Sequence, residues 1–359
     1  MKLAIYGARS LALGTYLAIK DLYPEYPVVC FLVTSRQGNP ASLANLPVRE
    51  AEAFFRESGT EGIHVLIGIP EDVHEEIILQ LEKKGLFHYT CMDSRRQAVL
   101  MERYFLKRGE FLSIHSLEYP QNAQKADLQV AVARFYKDRQ LRKAYDLPSW
   151  TYSLQAGAVL TDVRVADFTD HTGENISEKN GNYCELTALY WIWKNRLEAM
   201  KGKASGYLGL FQYRRILDLT EEDQKRMRAN DVDVILPFPT LHEPDMQEHH
   251  ARYVKEPDWE AMLQALQELQ PEYAKAFWEI AKKPYLYNYN VLIAKHQVLS
   301  DYCAWLFPIL KRTEELSQPK GWGRSDRYIG YLGENLMTLY FLFHQKDLKI
   351  YHTGCRMLI

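Results

Sequence analysis

Two consecutive arginines, Arg214 and Arg215, follow the apolar run Tyr207 to Phe211, which reads as a buried strand. A guanidinium presents a planar fork of N–H donors that matches phosphate oxygens in pairs. At the carboxyl end of a strand in an open α/β sheet, such forks stand where ligands bind. A surface salt-bridging pair is the alternative use of the same residues. A second group is the block Asp170 to Asn180, rich in short polar side chains that cap helices and line polar sites. Behind it, Tyr183 to Lys194 reads as a helix apolar nearly all round. Glu185 on that helix requires a hydrogen-bonding or ionic partner; a buried structural pair and a role in a site both remain open. A third group is Tyr285 to Ile293, a strand carrying Asn288 and Asn290.

Other residues offer chemistry only on the surface of the pattern. His242, Glu243, Asp245, His249 and His250 lie close together, but their spacing fits no metal-ligand motif and Pro244 interrupts them. They read as a solvated loop near an acceptor entrance. The 5 cysteines are odd in number and have no CxxC pair, which argues against both a disulfide framework and a zinc site. A formal charge of -2 gives no reason to expect nucleic acid. The 24 tyrosines suit sugar faces and interfaces, yet most of them must serve the core. Leu11 to Ile19 is too short for a signal peptide's context or a membrane span, so a cytoplasmic protein is expected.

The elements that would position these groups fall into two stretches. Residues 1–116 alternate strand and helix: strands at Leu3 to Tyr6, Val28 to Thr34, His64 to Ile69 and Tyr89 to Met92, with helices from Ser10 and from a cap at Asp72. Continuous apolar strands separated by helices imply a parallel sheet covered on both faces, a Rossmann-like domain. Its first turn, Gly7 to Gly14, has Arg9 where a dinucleotide fingerprint needs glycine, and no acidic residue closes the second strand. This part is weakly similar to the nucleotide-sugar-binding N-terminal domain of sugar O-acyltransferases, through Gly7, Ser10, Gly14 and Val65 to Ile69; a purely structural domain is the other reading. Residues 117–127 read as a linker, and the strand Leu128 to Ala133 opens a second α/β domain spanning 128–359.

That second domain resembles a bacterial capsule and O-antigen family long labelled as being of unknown function, some of whose members are galactofuranosyltransferases with a GT-A-like fold. The resemblance covers roughly residues 128–357. It rests on Gly173 to Asn180, Tyr183 to Trp191, Tyr213-Arg214-Arg215, Trp305-Leu306-Phe307 and Glu334. It implies inverting transfer of galactofuranose from a UDP-sugar to a growing glycan on a polyprenyl carrier, at the cytoplasmic face of the cell membrane. Such transfer needs a diphosphate clamp, a carboxylate base and a polar cradle for the sugar. The resemblance assigns the donor to Lys137, Gly157, Asn175, Ser177, Lys179, Asn180, Tyr213, Arg214, Arg215, Asn288 and Asn290. Glu334 is the first choice for the base, then Asp326, then Glu185. Asp326 ends the run Gly321 to Asp326, which is similar to a Gly/Trp-rich, acid-ended loop of other galactosyltransferases. No DxD pair follows Tyr207 to Phe211, so the arginines are expected to replace a metal, with no cofactor beyond the UDP-sugar donor. The chain departs from the family pattern at Gln212, where His is usual, at Tyr136, also His, and at Asn335, where Arg is usual. These losses of chargeable groups favour the alternative of a non-catalytic member that binds a nucleotide sugar or a glycan.

Overall fold

The computed structural model describes residues 1–197, 206–317 and 324–359. In the N-terminal part the strands Leu46–Glu50, Val28–Val33, Lys2–Tyr6, Ile63–Ile67 and Tyr89–Cys91 lie side by side in that order, all parallel, with Ser42–Leu43 closing one edge as a hairpin. Alternate residues of the central strand serve different layers. Leu3 and Ile5 face the helices Ser10–Leu22 and Ser94–Arg108, whereas Ala4 and Tyr6 face Ala51–Ser58 and His74–Glu82. Burial on both faces is why these strands read as continuous apolar runs. Ser94–Arg108 is bounded by Asp93, whose carboxylate accepts from the Arg96 N–H, and by Gly109 in the left-handed conformation. Gly7 is explained by packing: a Cβ there would sit 2.8 Å from the Gly68 carbonyl oxygen. Asp72 does not cap the following helix; it lies in the short 3-10 turn Glu71–Val73 ahead of His74–Glu82.

Residues 117–126 have no regular structure but are fastened down. Arg226 donates to the Leu117 carbonyl, Asn230 to that of Glu118, and the Ala126 N–H to that of Gln224. The second sheet then runs Ile350–Thr353, Val234–Pro237, Leu292–Lys295, Gly206–Gln212, Asp127–Arg134, Thr151–Gln155 and Phe168–Thr169. Gly206–Gln212 is parallel to Asp127–Arg134 and antiparallel to Leu292–Lys295, so the sheet is mixed. One face packs on Met227 of the helix Glu221–Ala229. The other is covered by Leu186–Asn195, Glu256–Leu269, His296–Leu316 and Tyr328–Phe343.

Two expected elements are interrupted. The helix over Tyr183 to Lys194 is broken at Cys184, between Asn180–Tyr183 and Leu186–Asn195, by a left-handed residue (φ 52°). The strand over Tyr285 to Ile293 is two short strands, Tyr285–Leu286 and Leu292–Lys295, separated by left-handed Tyr289 and Asn290. The histidine-rich segment is not solvated: His242, His249 and His250 are all buried, His250 stacked on Trp259 and His242 against His249. Burial first, then the neighbouring His249 and Arg252, pushes His242 down to about 2, so it is neutral at any ordinary pH.

The helices Ser10–Leu22 and Ser94–Arg108 lie between the two sheets, and one apolar core runs through both parts of the chain. Phe105 stacks on Phe238 at 5.7 Å, and Phe111 meets Tyr285 edge-on at 4.9 Å. Among the described residues no helix is long and apolar enough to cross a membrane.

Candidate functional site

The two interruptions create the site. At the second, adjacent residues of one turn hold one carboxylate each. The Tyr289 N–H donates to Glu334 Oε1 at 2.7 Å, and Asn290 Nδ2 donates to Glu185 Oε1, also at 2.7 Å. Gln212, the last residue of Gly206–Gln212, fixes the turn from the sheet side through its Nε2 on the Tyr289 carbonyl (2.8 Å). At the first interruption the Cys184 carbonyl accepts from Asn180 Nδ2 (2.8 Å) and Thr187 Oγ1 (3.2 Å). The Cys184 thiol meets Arg327 Nε at 3.3 Å. Glycines let the helix Tyr328–Phe343 reach this corner: a Cβ on Gly330 would lie 3.2 Å from Cys184 Sγ, and one on Gly333 only 2.6 Å from Leu186 Cδ1.

Cys184, Tyr289, Asn290 and Arg327, all with positive φ, therefore surround one pair of glutamates. Such conformations cost a non-glycine residue about 1 kcal/mol or more each, and they collect where geometry matters more than local comfort. Asn290 is 1% exposed, and its Oδ1 finds no hydrogen-bond partner among the described residues. Burial, then the charge of Glu185, pushes Glu334 up to about 8, against the Tyr289 N–H and Arg327. Burial also raises Glu185, opposed chiefly by Asn290. Two carboxyls so placed do not both ionise readily, and the pair keeps a proton-accepting group poised close to neutral pH. Burial holds the Cys184 thiol up at about 12, which leaves it unionised and no nucleophile.

The other expected residues divide. Arg215 lies beside the cluster, its guanidinium 4.7 Å from the Tyr289 ring centroid. Arg214 turns the other way and pairs with Asp72 of the N-terminal part at 2.8 Å. Tyr213 lines a depression with Arg134, Phe135, Tyr136 and Asp138, where the parallel strands end; burial raises Asp138 to about 6. Lys137 is exposed and stands 5.0 Å from the Tyr136 ring. Gly157 and Ser177 converge on buried Asp170, which accepts from the Gly157 N–H (2.8 Å) and Ser177 Oγ. Asn175 in turn accepts from the Ser177 N–H, and Asn180 fills the space a Cβ on Gly157 would need. Asp170, Asn175, Ser177 and Asn180 build the loop that ends at Cys184, braced against Gly157. Lys179 pairs with Glu314 at 2.6 Å, and Asn288 accepts from Thr240. Asp326 is held by Arg324 and Lys255; burial pushes its carboxyl up, but those cations outweigh it and keep it below the usual range. Gly321, Trp322 and Gly323 lie outside the described residues. Arg327, one residue beyond Asp326, is a site cation that the sequence reading passed over; only its nearness to Asp326 marked it. Among the described residues no group of three or more His, Cys, Asp or Glu is placed to hold a metal ion.

No curated protein matches the chain. Among solved structures, the apo structure of the bifunctional glycosyltransferase WbbM is similar over 65% of this chain and 45% of that one, with 24% identity and a TM-score of 0.54. This chain thus spans under half of that protein, and the likeness establishes a shared α/β fold over the matched part. The family model described as "Domain of unknown function (DUF4422)" matches residues 140–346, more than half of the 359. The polar loop, both interruptions, the two arginines, and the glutamate pair all fall inside that span, and the chain belongs to the DUF4422 family.

Proposed function

We propose that this protein is a glycosyltransferase that moves a hexose, galactofuranose foremost, from a UDP-sugar to a glycan hydroxyl, with inversion and without a metal ion. The observation that carries this reading is Glu334, a carboxyl raised to about 8 and aimed by the Tyr289 N–H. It takes the proton of the acceptor hydroxyl as that oxygen bonds to the anomeric carbon and UDP departs with the electrons of the broken C–O bond. Glu185 holds Glu334's affinity for protons high, and Asn290 orients Glu185. Arg327 and Arg215 supply counter-charge to the departing diphosphate. The depression formed by Phe135, Tyr136 and Tyr213 suits the nucleotide, since open α/β sheets bind ligands at strand carboxyl ends. Residues 128–359 form the transferase domain and 1–116 a separate one. The setting is the cytoplasmic face of the cell membrane, with a polyprenyl-linked glycan as acceptor.

A binding-only protein is the second reading. It is favoured by the pairing of Arg214 with Asp72, which removes one expected phosphate ligand, and by Gln212 and Asn335. Calorimetric titration of UDP and UDP-galactofuranose in EDTA, followed by turnover with glycan acceptors, separates the two. The transferase reading expects Glu334→Gln to bind donor within about threefold of wild type while turnover falls by about 10²-fold or more. Donor binding without turnover by the wild type would select the binding-only protein. No binding with or without Mg²⁺ or Mn²⁺ would dismiss the UDP-sugar.

A further inference from the structure

Asp127–Arg134 and Thr151–Gln155 are parallel neighbours in the second sheet, so the loops that follow them leave it on the same side. The depression at Tyr213 is bordered by both, through Arg139 and Lys143 of the first loop and Val165 of the second. The second loop turns three large aliphatic side chains outward: Val159, Leu160 and Val163 are 55%, 46% and 55% exposed. Single exposed apolar residues are ordinary, whereas a cluster on one short loop marks a contact surface.

That loop is held firmly. Buried Gln155 donates to the Val163 carbonyl (2.9 Å) and accepts from the Val165 N–H (3.1 Å). Arg164 Nη1 donates to the carbonyls of Thr161 (2.6 Å) and Ala158 (3.3 Å). The Val159 N–H donates to Ser177 Oγ, and the Val163 N–H to Thr161 Oγ1. Side chains thus satisfy much of the loop's backbone from within, as a segment needs before it enters a medium without water. Asp162, exposed among the aliphatic residues, limits that entry to a shallow one.

The first loop supplies charge. Arg134, Lys137, Arg139, Arg142 and Lys143 stand there against Asp138, whose carboxylate already accepts from the Phe135 N–H at 2.7 Å. Arg142 is paired with Glu75. Lys137, Arg139 and Lys143 are exposed and pair with no carboxylate among the described residues; the two lysines lie 5.0 and 5.2 Å from the rings of Tyr136 and Tyr145. A stable protein contact buries about 800 Å² a side, far more than three aliphatic side chains offer. A shallow apolar tip beside unpaired cations is instead what an anionic lipid surface attracts.

We propose that these two loops dock the protein on an anionic bilayer, with Val159, Leu160 and Val163 in the headgroup–acyl boundary and Lys137, Arg139 and Lys143 on lipid phosphates. The inference rests on the membrane setting proposed for the transferase, and it names the surface that makes the contact. Docked in this way, the protein holds the Tyr213 depression beside the lipid surface, where a polyprenyl-linked acceptor is anchored.

Co-sedimentation of the full chain with phosphatidylcholine vesicles, with and without about one third phosphatidylglycerol, tests it. Binding is expected to the anionic vesicles and to weaken as salt rises. Val159→Ser/Val163→Ser and, separately, Arg139→Gln/Lys143→Gln should each lower it by about tenfold. Both pairs change exposed side chains, and an unaltered melting temperature checks that the variants fold. No binding by the wild type, equal binding to neutral vesicles, or binding that either variant leaves intact would overturn the proposal. So would a dimer in solution that Val159→Ser/Val163→Ser dissolves, which would give the patch to a second copy of this chain. Transfer to a water-soluble acceptor is expected to be unchanged in Val159→Ser/Val163→Ser. Failure of the wild type to transfer to any acceptor, with vesicle binding intact, would dismiss the transferase reading and leave the docking surface standing.

Discussion

Glu185 helps to set the protonation of Glu334. The Glu185 charge is the second cause, after burial, of Glu334's rise to about 8. Replacing it by Gln removes that repulsion and keeps the Asn290 hydrogen bond. The rate of any reaction that needs ionised Glu334 climbs as pH passes its pKa, so the acid limb of the pH–rate profile stands near pH 8 in the wild type. In Glu185→Gln it is expected to move toward lower pH, and an unmoved limb would remove Glu334 from the base's role. Glu185 was legible in the sequence because a charged side chain in an apolar run demands a partner, whereas Glu334 was reached only through the family resemblance. Cys184, Tyr289 and Arg327 were not legible, since a left-handed backbone at a non-glycine residue leaves no mark on composition or periodicity. Arg214 read as a phosphate ligand because its partner, Asp72, stands in the other sheet.

At the scale of elements, continuous apolar runs located four strands of the first sheet and the central pair of the second to within about two residues, and the parallel order of the first sheet followed from the intervening helices; Leu46–Glu50, Thr151–Gln155 and Ile350–Thr353 were not read. The reading erred where tertiary contacts override local pattern. The polar turn at Cys184 splits an apolar helix because Asn180 and Thr187 claim the Cys184 carbonyl. Gly209 shows how tightly the centre of the second sheet is built. A Cβ there would fall 2.4 Å from the Leu292 carbonyl oxygen and 3.0 Å from Ile293 Cγ1. Backbone on a paired central strand cannot withdraw as a side chain can. Gly209→Ala is therefore expected to destabilise the fold by about 1–3 kcal/mol, seen as a lower urea midpoint at unchanged slope. Gly157→Ala combines positive φ (64°) with a 2.7 Å approach to Asn180, so it should cost about 2 kcal/mol and slacken the loop before Cys184.

Across the whole molecule the two sheets are joined by charged contacts as well as by the shared core. Arg214 pairs with Asp72 and Arg142 with Glu75. His115 bridges Glu102, on the helix Ser94–Arg108, at 2.8 Å and Asp223, on Glu221–Ala229, at 3.7 Å. The hydrogen bond that His115 donates to Glu102 raises His115 despite burial. Its contribution is complete below the ordinary histidine value of about 6.5 and fades as pH rises through the folded value. Burial pushes Glu102 up, but His115 and Ser113 outweigh it and lower its carboxyl, so its share is lost instead at acid pH. His115→Gln should thus lower the melting temperature at pH 6 and match the wild type by pH 9. The effect will not exceed about 1 kcal/mol, because the ring is partly in solvent. Equal melting temperatures at pH 6 would show that His115 contributes nothing to the junction.

Ile350–Thr353 completes the second sheet beside Val234–Pro237, and Cys355–Met357 pairs with Arg215–Leu217. The same stretch settles on the helix Ser94–Arg108: the Met357 N–H donates to Ser94 Oγ, and Gly354 lies so close to Ala98 that a Cβ would come within 2.5 Å. These residues leave the ribosome after every other strand of their sheet. The first sheet has all its strands by Cys91 and can close early, since domains generally fold as units from the N-terminus during synthesis. Its helix must then wait, with the side around Ala98 bare, while more than half of the chain is still being translated. In a newborn chain that helix face is therefore expected to stay uncovered until the strand Cys355–Met357 has emerged.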